Sequence, residues 1–207
     1  MKVADGVYQV EGVRVANVWL VEVMDGLLLV DTGTRLGSAR RVVESIAELG
    51  RRPDDLRYIV ITHADMDHVG GVAELKRLTG AKVAIHELDA PVLAGTERPH
   101  KGGLVMRALY GLFVRPVTPD RLLRDGDSVG VLRVMHVPGH TAGSIALVRD
   151  DGVVFSGDAL LSDKRGRLIP PDPRLALDKA QAAASADAIR ALRAWLVLPG
   201  HGTPAAP

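Results

Sequence analysis

The sequence predicts a layered α/β domain (α+β by some schemes), with two sheets and helices on their outer faces as the leading arrangement. Strand-like runs outnumber helical ones and recur from residue 7 to residue 199. Helical runs nevertheless fall in both halves of the chain. A chain of 207 residues is large enough to bury a proper core, so residues 1–207 are read as one domain.

The first third reads as strands. "VYQVEGV" and "VANVWLVEV" alternate with period two, and Met24-Asp25-Gly26 is a turn signal before "LLLVDTG". Over 38–49, "SARRVVESIAEL" spaces its apolar residues at three and four, as a helix does, and Gly50 is the stop. "LRYIVITH" is a buried-type strand, "VAELKRLTG" a short helix closed by Gly80, and "AKVAIH" another strand. Residues 87–120 break the rhythm with Pro91, Pro99, Gly102, Gly103 and the amphipathic piece "LVMRALYGLFVRP". Strands return in "RLLRDGDSVGVLRVMHVPGH", "SIALVRDDGVVFSGD" and "WLVLPGH", with an Ala-rich helix over about 175–194 before the last.

Composition narrows the function. Hydrophobic residues make up 47% and charged residues 25%, the balance of a soluble globular protein. A net charge of +1 gives no global basic field to recruit nucleic acid or an anionic membrane. The N-terminal stretch lacks the apolar core of a signal peptide and no apolar run is long enough to span a bilayer, which makes the cytoplasm the expected compartment. The absence of cysteine excludes disulfides, thiolate nucleophiles, zinc-thiolate sites and iron–sulfur clusters.

The seven histidines are not scattered. His63 and His68, in "VITHADMDH", His140 in "VMHVPGHT" and His201 in "WLVLPGHG" each follow a strand-like run and sit beside glycine or a carboxylate. Asp158 in "VVFSGDAL" repeats that grammar. A strand end followed by a glycine turn holds a side chain rigidly against a cleft. Several such ends bearing imidazole or carboxylate point to a metal site of nitrogen and oxygen ligands. Alternatively, His63, Asp65, Asp67 and His68 form a polar loop capping "VAELKRL", with Asp67 as the cap. Capping needs one acceptor and leaves two imidazoles unexplained. His136 reads as structural, His86 as a rim or core residue and His100 as solvated; Ser144 and Ser156 read as loop residues.

"LLLVDTG", "THADMDHVGG", "VPGHTAGS", "FSGDAL" and "LPGHG", in that order and spacing, resemble the metallo-β-lactamase-fold hydrolase superfamily, from about residue 18 to residue 203. The resemblance implies a four-layer αββα sandwich with two divalent metal ions at one edge between the sheets. It assigns His63, Asp65 and His140 to the first metal. Asp67, His68, Asp158 and His201 go to the second, with Asp158 as the bridging carboxylate. Asp31, in "VDTG", falls on a position that supports the ligands from behind; a turn acceptor is its alternative role.

Asp65 departs from the family pattern, which has histidine there. The carboxylate removes one unit of positive charge from the site, so bound water should be less acidic than with imidazole. His63–Asp65–His140 is a two-histidine, one-carboxylate set, which suits iron or manganese as well as zinc; zinc stands first. Flavodiiron proteins resemble this chain in fold and place a glutamate at that position.

The implied activity is hydrolysis of a small ester, thioester or lactone by a metal-bound hydroxide, which Asp67 orients. A thioesterase similar to hydroxyacylglutathione hydrolase fits in size, although that group has histidine at position 65 and a further C-terminal helical domain. The alternatives are a di-iron redox protein, acting on oxygen or nitric oxide with a separate electron donor, and a non-catalytic metal-binding protein. The insert at 87–120 is expected to be a substrate lid. Its Arg98, Lys101, Arg107, Arg115, Arg121 and Arg124, set against Glu97 and Asp120, suggest a cationic mouth for an anionic small-molecule substrate. An ordinary solvated face with Leu104, Leu109 and Phe113 packed inward, and Tyr110 as a polar tip, is the alternative.

Overall fold

The computed structural model describes residues 1–99 and 110–206. Seven strands form the first sheet in chain order: β1 (Lys2–Ala4), β2 (Val7–Gln9), β3 (Trp19–Val23), β4 (Gly26–Val30), β5 (Leu56–Ile61), β6 (Lys82–His86) and β7 (Arg121–Leu123). Strands β1 to β4 pair antiparallel, with Met24 and Asp25 turning β3 into β4 as the sequence signals. From β4 to β7 the pairing is parallel. Parallel neighbours need crossovers. Helix α1 (Ser38–Glu48) supplies one between β4 and β5; α2 (Met66–Val69) and α3 (Val72–Thr79) lie between β5 and β6, and α4 (Ala90–Leu93) follows β6. Gly50 and Gly80, the expected helix stops, sit with left-handed backbone just past α1 and α3.

The second sheet contains β8 (Ser128–Val129), β9 (Leu132–His136), β10 (Ile145–Arg149), β11 (Val153–Gly157) and β14 (Leu196–Pro199), in the order β14-β11-β10-β9-β8. Only the β11–β14 pair is parallel. Between these two strands the chain forms a small hairpin, β12 (Leu161–Ser162) and β13 (Leu168–Ile169), which the sequence reading did not anticipate because two-residue strands carry no period. The Ala-rich helix is Lys179–Ala191, shorter than expected, because the Asp178 carboxylate caps it by accepting from the Ala180 and Gln181 amides.

Alternation places the layers. Leu28, Val30 and Val60 of β4 and β5, with Trp19 of β3, face the second sheet, where Leu132, Val134, Leu147 and Phe155 complete the inner core. Leu27, Leu29, Ile59 and Ile61 face outward onto Val42 and Ile46 of α1 and Val72 and Leu75 of α3. Across the molecule, Ala146, Val154 and Val197 pack on Ala186 and Ile189 of the final helix. Helix, sheet, sheet and helix therefore stack as four layers. No helix among the described residues is long and apolar enough to cross a membrane.

Candidate metal centre

The parallel pairs set the site. Strands β4 and β5 run in one direction and end at Val30 and Ile61, just before Asp31 and His63. Strands β11 and β14 end at Gly157 and Pro199, just before Asp158 and His201. The loop after β9 carries His140 to the same edge.

All seven expected side chains converge there. His63, Asp65 and His140 form one group whose ligand-type atoms lie within 4.8 Å of one another, and Asp67, His68 and His201 form a second. Asp65 Oδ2 lies 3.0 Å from His140 Nε2 and 3.5 Å from His63 Nε2. Asp67 Oδ2 lies 3.2 Å from His201 Nε2. Between the groups stands Asp158: its Oδ2 is 3.8 Å from His63 Nε2 and 3.4 Å from the Nε2 atoms of His140 and His201, and its Oδ1 is 3.4 Å from His68 Nε2. The capping alternative for Asp67 is corrected. Gly71 precedes α3, whereas Asp67 lies in the first turn of α2 with Asp65 at the cap position.

Two backbone features hold these side chains in place. The Gly70-Gly71 pair lets the α2–α3 turn press on the loop after β4; a Cβ at either position would strike the backbone at Thr34–Arg35 or at Thr32. Gly200 gives the same access at β14, where a Cβ would strike the Asp158 carboxylate and the His68 ring.

The imidazoles are oriented from behind. Asp31, with a left-handed φ of 60°, accepts from the Thr62 amide (2.8 Å) and hydroxyl (2.8 Å) and from His68 Nδ1 (2.8 Å). This puts the His68 proton on Nδ1 and turns Nε2 toward the cluster. Since the Thr62 hydroxyl proton goes to Asp31, its oxygen accepts from His63 Nδ1 at 3.0 Å, and His63 Nε2 faces the cluster too. His201 Nδ1 donates to the Val15 carbonyl at 2.9 Å. Val15 itself has φ of 77°, a strained conformation for a β-branched residue.

The donor set fits a cation. His63 Nε2 and Asp158 Oδ1 are buried and have no hydrogen-bond partner among the described residues. Buried polar atoms left this way are rare, and a metal ion satisfies them. The electrostatics agree. Burial opposes charging of His68, yet the carboxylates of Asp31, Asp158 and Asp67 outweigh it and push the ring up to about 9. Burial likewise opposes charging of His201, but hydrogen bonds to Asp158 and Asp67 push it up to about 11. Burial acts to raise Asp158 and Asp67, but the surrounding imidazoles hold both below the usual carboxylate range. The carboxylates thus demand positive charge, which protons supply in the absence of metal.

This has a measurable result. Because both rings titrate above the ordinary value near 6.5, their stabilising contribution to metal-free protein is complete below that pH. It is lost as pH rises through about 9 and then about 11. The melting temperature of metal-free protein is expected to fall steadily above neutrality. Metal uptake near pH 7 is expected to release roughly two protons, read as a buffer-dependent enthalpy in calorimetry. A flat melting profile over pH 7–10 together with buffer-independent enthalpy would contradict this assignment.

A cavity of about 570 Å³ opens on the cluster, lined by Asp65, Asp67, His140, Asp158 and His201 and walled by Val15, Met66, Pro99, Tyr110, Arg174 and Leu175. The insert therefore reaches the cavity through Pro99 and Tyr110. Lys101, Arg107, Leu104, Leu109 and His100 lie outside the described residues. Two of the charges over 97–124 are paired with residues from outside that window. Arg124 pairs with Glu87 at 2.7 Å, and Asp120 is taken by Lys76 at 2.7 Å. The arginine on the cavity wall is Arg174, held by Asp172 at 2.7 Å, from outside the insert. Phe113 is partly exposed rather than packed inward. Tyr110 is buried, and its hydroxyl donates to the Ala64 carbonyl at 2.9 Å.

His86 and His136 stack with ring centroids 4.2 Å apart, away from the cavity wall, and His136 Nε2 donates to the Ala142 carbonyl at 2.9 Å. Ser144 supports the His140 loop by accepting from the Thr141 amide at 3.0 Å. Sequence reasoning missed Thr62, Asp89, Val15 and Arg174. None of them stands in a recognisable spacing; only three-dimensional contact reveals them.

The model of the metallo-beta-lactamase superfamily matches residues 12–201. The chain is 36% identical over 157 residues to hydroxyacylglutathione hydrolase of Methylobacillus flagellatus, covering 75% of this chain and 52% of that protein. It is 33% identical over 168 residues to the acyl-coenzyme A thioesterase MBLAC2 of Gallus gallus, covering 70% of this chain and 57% of that protein. It thus spans little more than half the length of either. Among solved structures it is similar to TTHA1623 in a di-iron-bound form, with a TM-score of 0.71 and 32% identity over 92% of this chain and 89% of that one. With the four layers, the strand-end cluster and a match over nearly its whole length, the chain belongs to the metallo-beta-lactamase superfamily.

Proposed function

We propose that the protein hydrolyses a small ester, thioester or lactone, thioester first, with two divalent metal ions as cofactors. The observation that carries this reading is the opening of an apolar-walled cavity directly onto seven converging donor side chains. His63, Asp65 and His140 would hold the first ion, and Asp67, His68, Asp158 and His201 the second. Asp158 stands among all four imidazoles, as a bridging carboxylate requires. When bound, the ions supply Lewis acidity, lowering the pKa of water and polarising the substrate carbonyl.

The protein's own groups do the rest. Asp67, ionised and partly exposed on the cavity wall, accepts a hydrogen bond from the attacking water and so fixes its direction. Asp65 and Asp158 keep the site close to neutral. Val15, Met66, Pro99 and Leu175 exclude water from the acyl group, and Arg174 meets an anionic substituent at the rim. The thioester preference follows from the leaving group. A thiol of pKa near 8.5 leaves as thiolate without a proton, whereas an amine needs one. Of the three carboxylates lining the cavity, Asp67 and Asp158 are held ionised, and neither suits a general acid. Hydroxyacylglutathiones and acyl-coenzymes A, the substrates named for the two relatives, are both thioesters.

Metal analysis of protein purified without added metal, followed by a thioester, lactone and phosphoester panel, tests the proposal. The expected result is two ions per chain and turnover of a thioester. Two bound ions with no turnover of any panel member would reject it. Asp65 supports a second reading, a di-iron redox site fed by a separate donor, and the di-iron form of TTHA1623 gives it a structural parallel. Iron as the sole metal, with reversible redox chemistry and an inert panel, would favour it. Asp65→His is expected to shift preference toward zinc and to move the acidic limb of the kcat/KM profile to lower pH, since the site gains positive charge. An unchanged metal preference and pH profile would refute this account of Asp65.

A further inference from the structure

We propose that Asp89 is the positioning residue of the first metal site, a buried carboxylate that fastens the loop carrying His63 and Asp65 to the loop carrying His140. The inference rests on the dinuclear reading above. Asp89 belongs to neither loop: it lies beyond β6 at the cap position of α4. Its Oδ2 accepts from the Ala64 amide at 2.8 Å and from the Thr141 hydroxyl at 2.8 Å, and its Oδ1 accepts from the Gly143 amide at 2.8 Å. Ala64 sits between His63 and Asp65, and Thr141 follows His140. One side chain thus spans both halves of the first site.

The surroundings are built for this contact. A Cβ on Gly143 would lie 2.7 Å from Asp89 Cγ and Oδ1, so only glycine lets that loop approach the carboxylate. The Ser144 hydroxyl lies 2.8 Å from Thr141 Oγ1 and fixes its direction. The Ala64 peptide is held on both sides, its amide by Asp89 and its carbonyl by Tyr110. Asp89 is 2% exposed, so water cannot substitute for it. The second site is braced differently, His68 by Asp31 and His201 by the Val15 carbonyl. Asp31 also reaches His63 through the Thr62 hydroxyl, so it serves both sites, whereas the contacts of Asp89 fall on the first site alone. Metal sites require such placement to within about half an ångström.

Asp89→Asn keeps the shape but sets an NH₂ group against an amide donor. Equilibrium dialysis against zinc reads each ion separately from turnover. Wild-type protein is expected to hold two ions. Asp89→Asn is expected to hold one with unchanged affinity and the other roughly 10–100-fold more weakly. Adding His140→Ala to Asp89→Asn should leave the tight ion in place, whereas adding His201→Ala should release it. Equal weakening of both ions, or of neither, overturns the proposal. If circular dichroism finds Asp89→Asn unfolded, Thr141→Val carries the test, because it removes one donor at nearly constant volume. It should weaken the same ion by roughly fivefold, and unchanged binding of that ion overturns the proposal. Wild-type protein without metal would sink the dinuclear reading and this inference with it. Two tight ions in both wild type and Asp89→Asn would sink this inference alone.

Discussion

Asp158→Ala is expected to lower kcat/KM on the thioester by roughly a thousandfold or more, and to reduce metal content below one ion per chain. Its carboxylate lies within 3.8 Å of all four imidazoles in the cluster. Asp65 lies against His63 and His140, and Asp67 against His68 and His201, whereas Asp158 stands between the two groups. The substitution also removes an anion that raises both His68 and His201. The alkaline loss of stability in metal-free protein should therefore become shallower in the same variant. Atomic emission, steady-state kinetics and a melting series against pH check the three parts. Turnover within tenfold of wild type, with two ions retained, would show that Asp158 does not bridge.

Asp31→Ala is expected to have the largest effect on stability, about 3–5 kcal/mol in metal-free protein. The carboxylate is buried and serves three donors, the Thr62 amide, the Thr62 hydroxyl and His68 Nδ1. Removing it strands all three, and alanine is poorly suited to the left-handed backbone at this position. Metal affinity should fall at both sites. His68 loses its orienting acceptor directly, and the Thr62 hydroxyl becomes free to donate to His63 Nδ1, which moves the His63 proton to the nitrogen facing the cluster. Asp31→Asn tolerates the backbone and keeps one acceptor, so it should recover most of the stability but less of the affinity. Chemical denaturation and dialysis distinguish the two. Equal losses at both substitutions would mean that charge, rather than backbone and shape, dominates here.

The sequence disclosed the layers and the cluster for a common reason. Leu28 and Val30 against Leu27 and Leu29 show the period of a strand buried on both faces. Each proposed ligand follows a strand by one to seven residues, so strand ends and chemistry were legible together. The supporting residues were not. Asp89 reads as an ordinary aspartate before a proline-containing turn, and its role exists only because β6 brings it against two loops distant in the chain. Val15 looks like one more apolar residue, and only its backbone angle and its bond to His201 mark it. Local pairing over 97–124 was not legible either: Arg124 and Asp120 are matched by Glu87 and Lys76 from outside that window, which leaves its charge balance unchanged.

The proposed ligand atoms come from strand ends spread between residues 63 and 201, which ties metal supply to the lifetime of the protein. A part-folded chain holds no more than fragments of the site, so ions bind the folded state almost exclusively. Free metal at a thousand times its dissociation constant then adds about 4 kcal/mol to folding per ion. Protease attack on such a chain proceeds through rare opening events, and their frequency falls by the same factor. When metal becomes scarce, degradation of this protein should accelerate before loss of activity among the surviving molecules is felt, so that its abundance reports the metal supply.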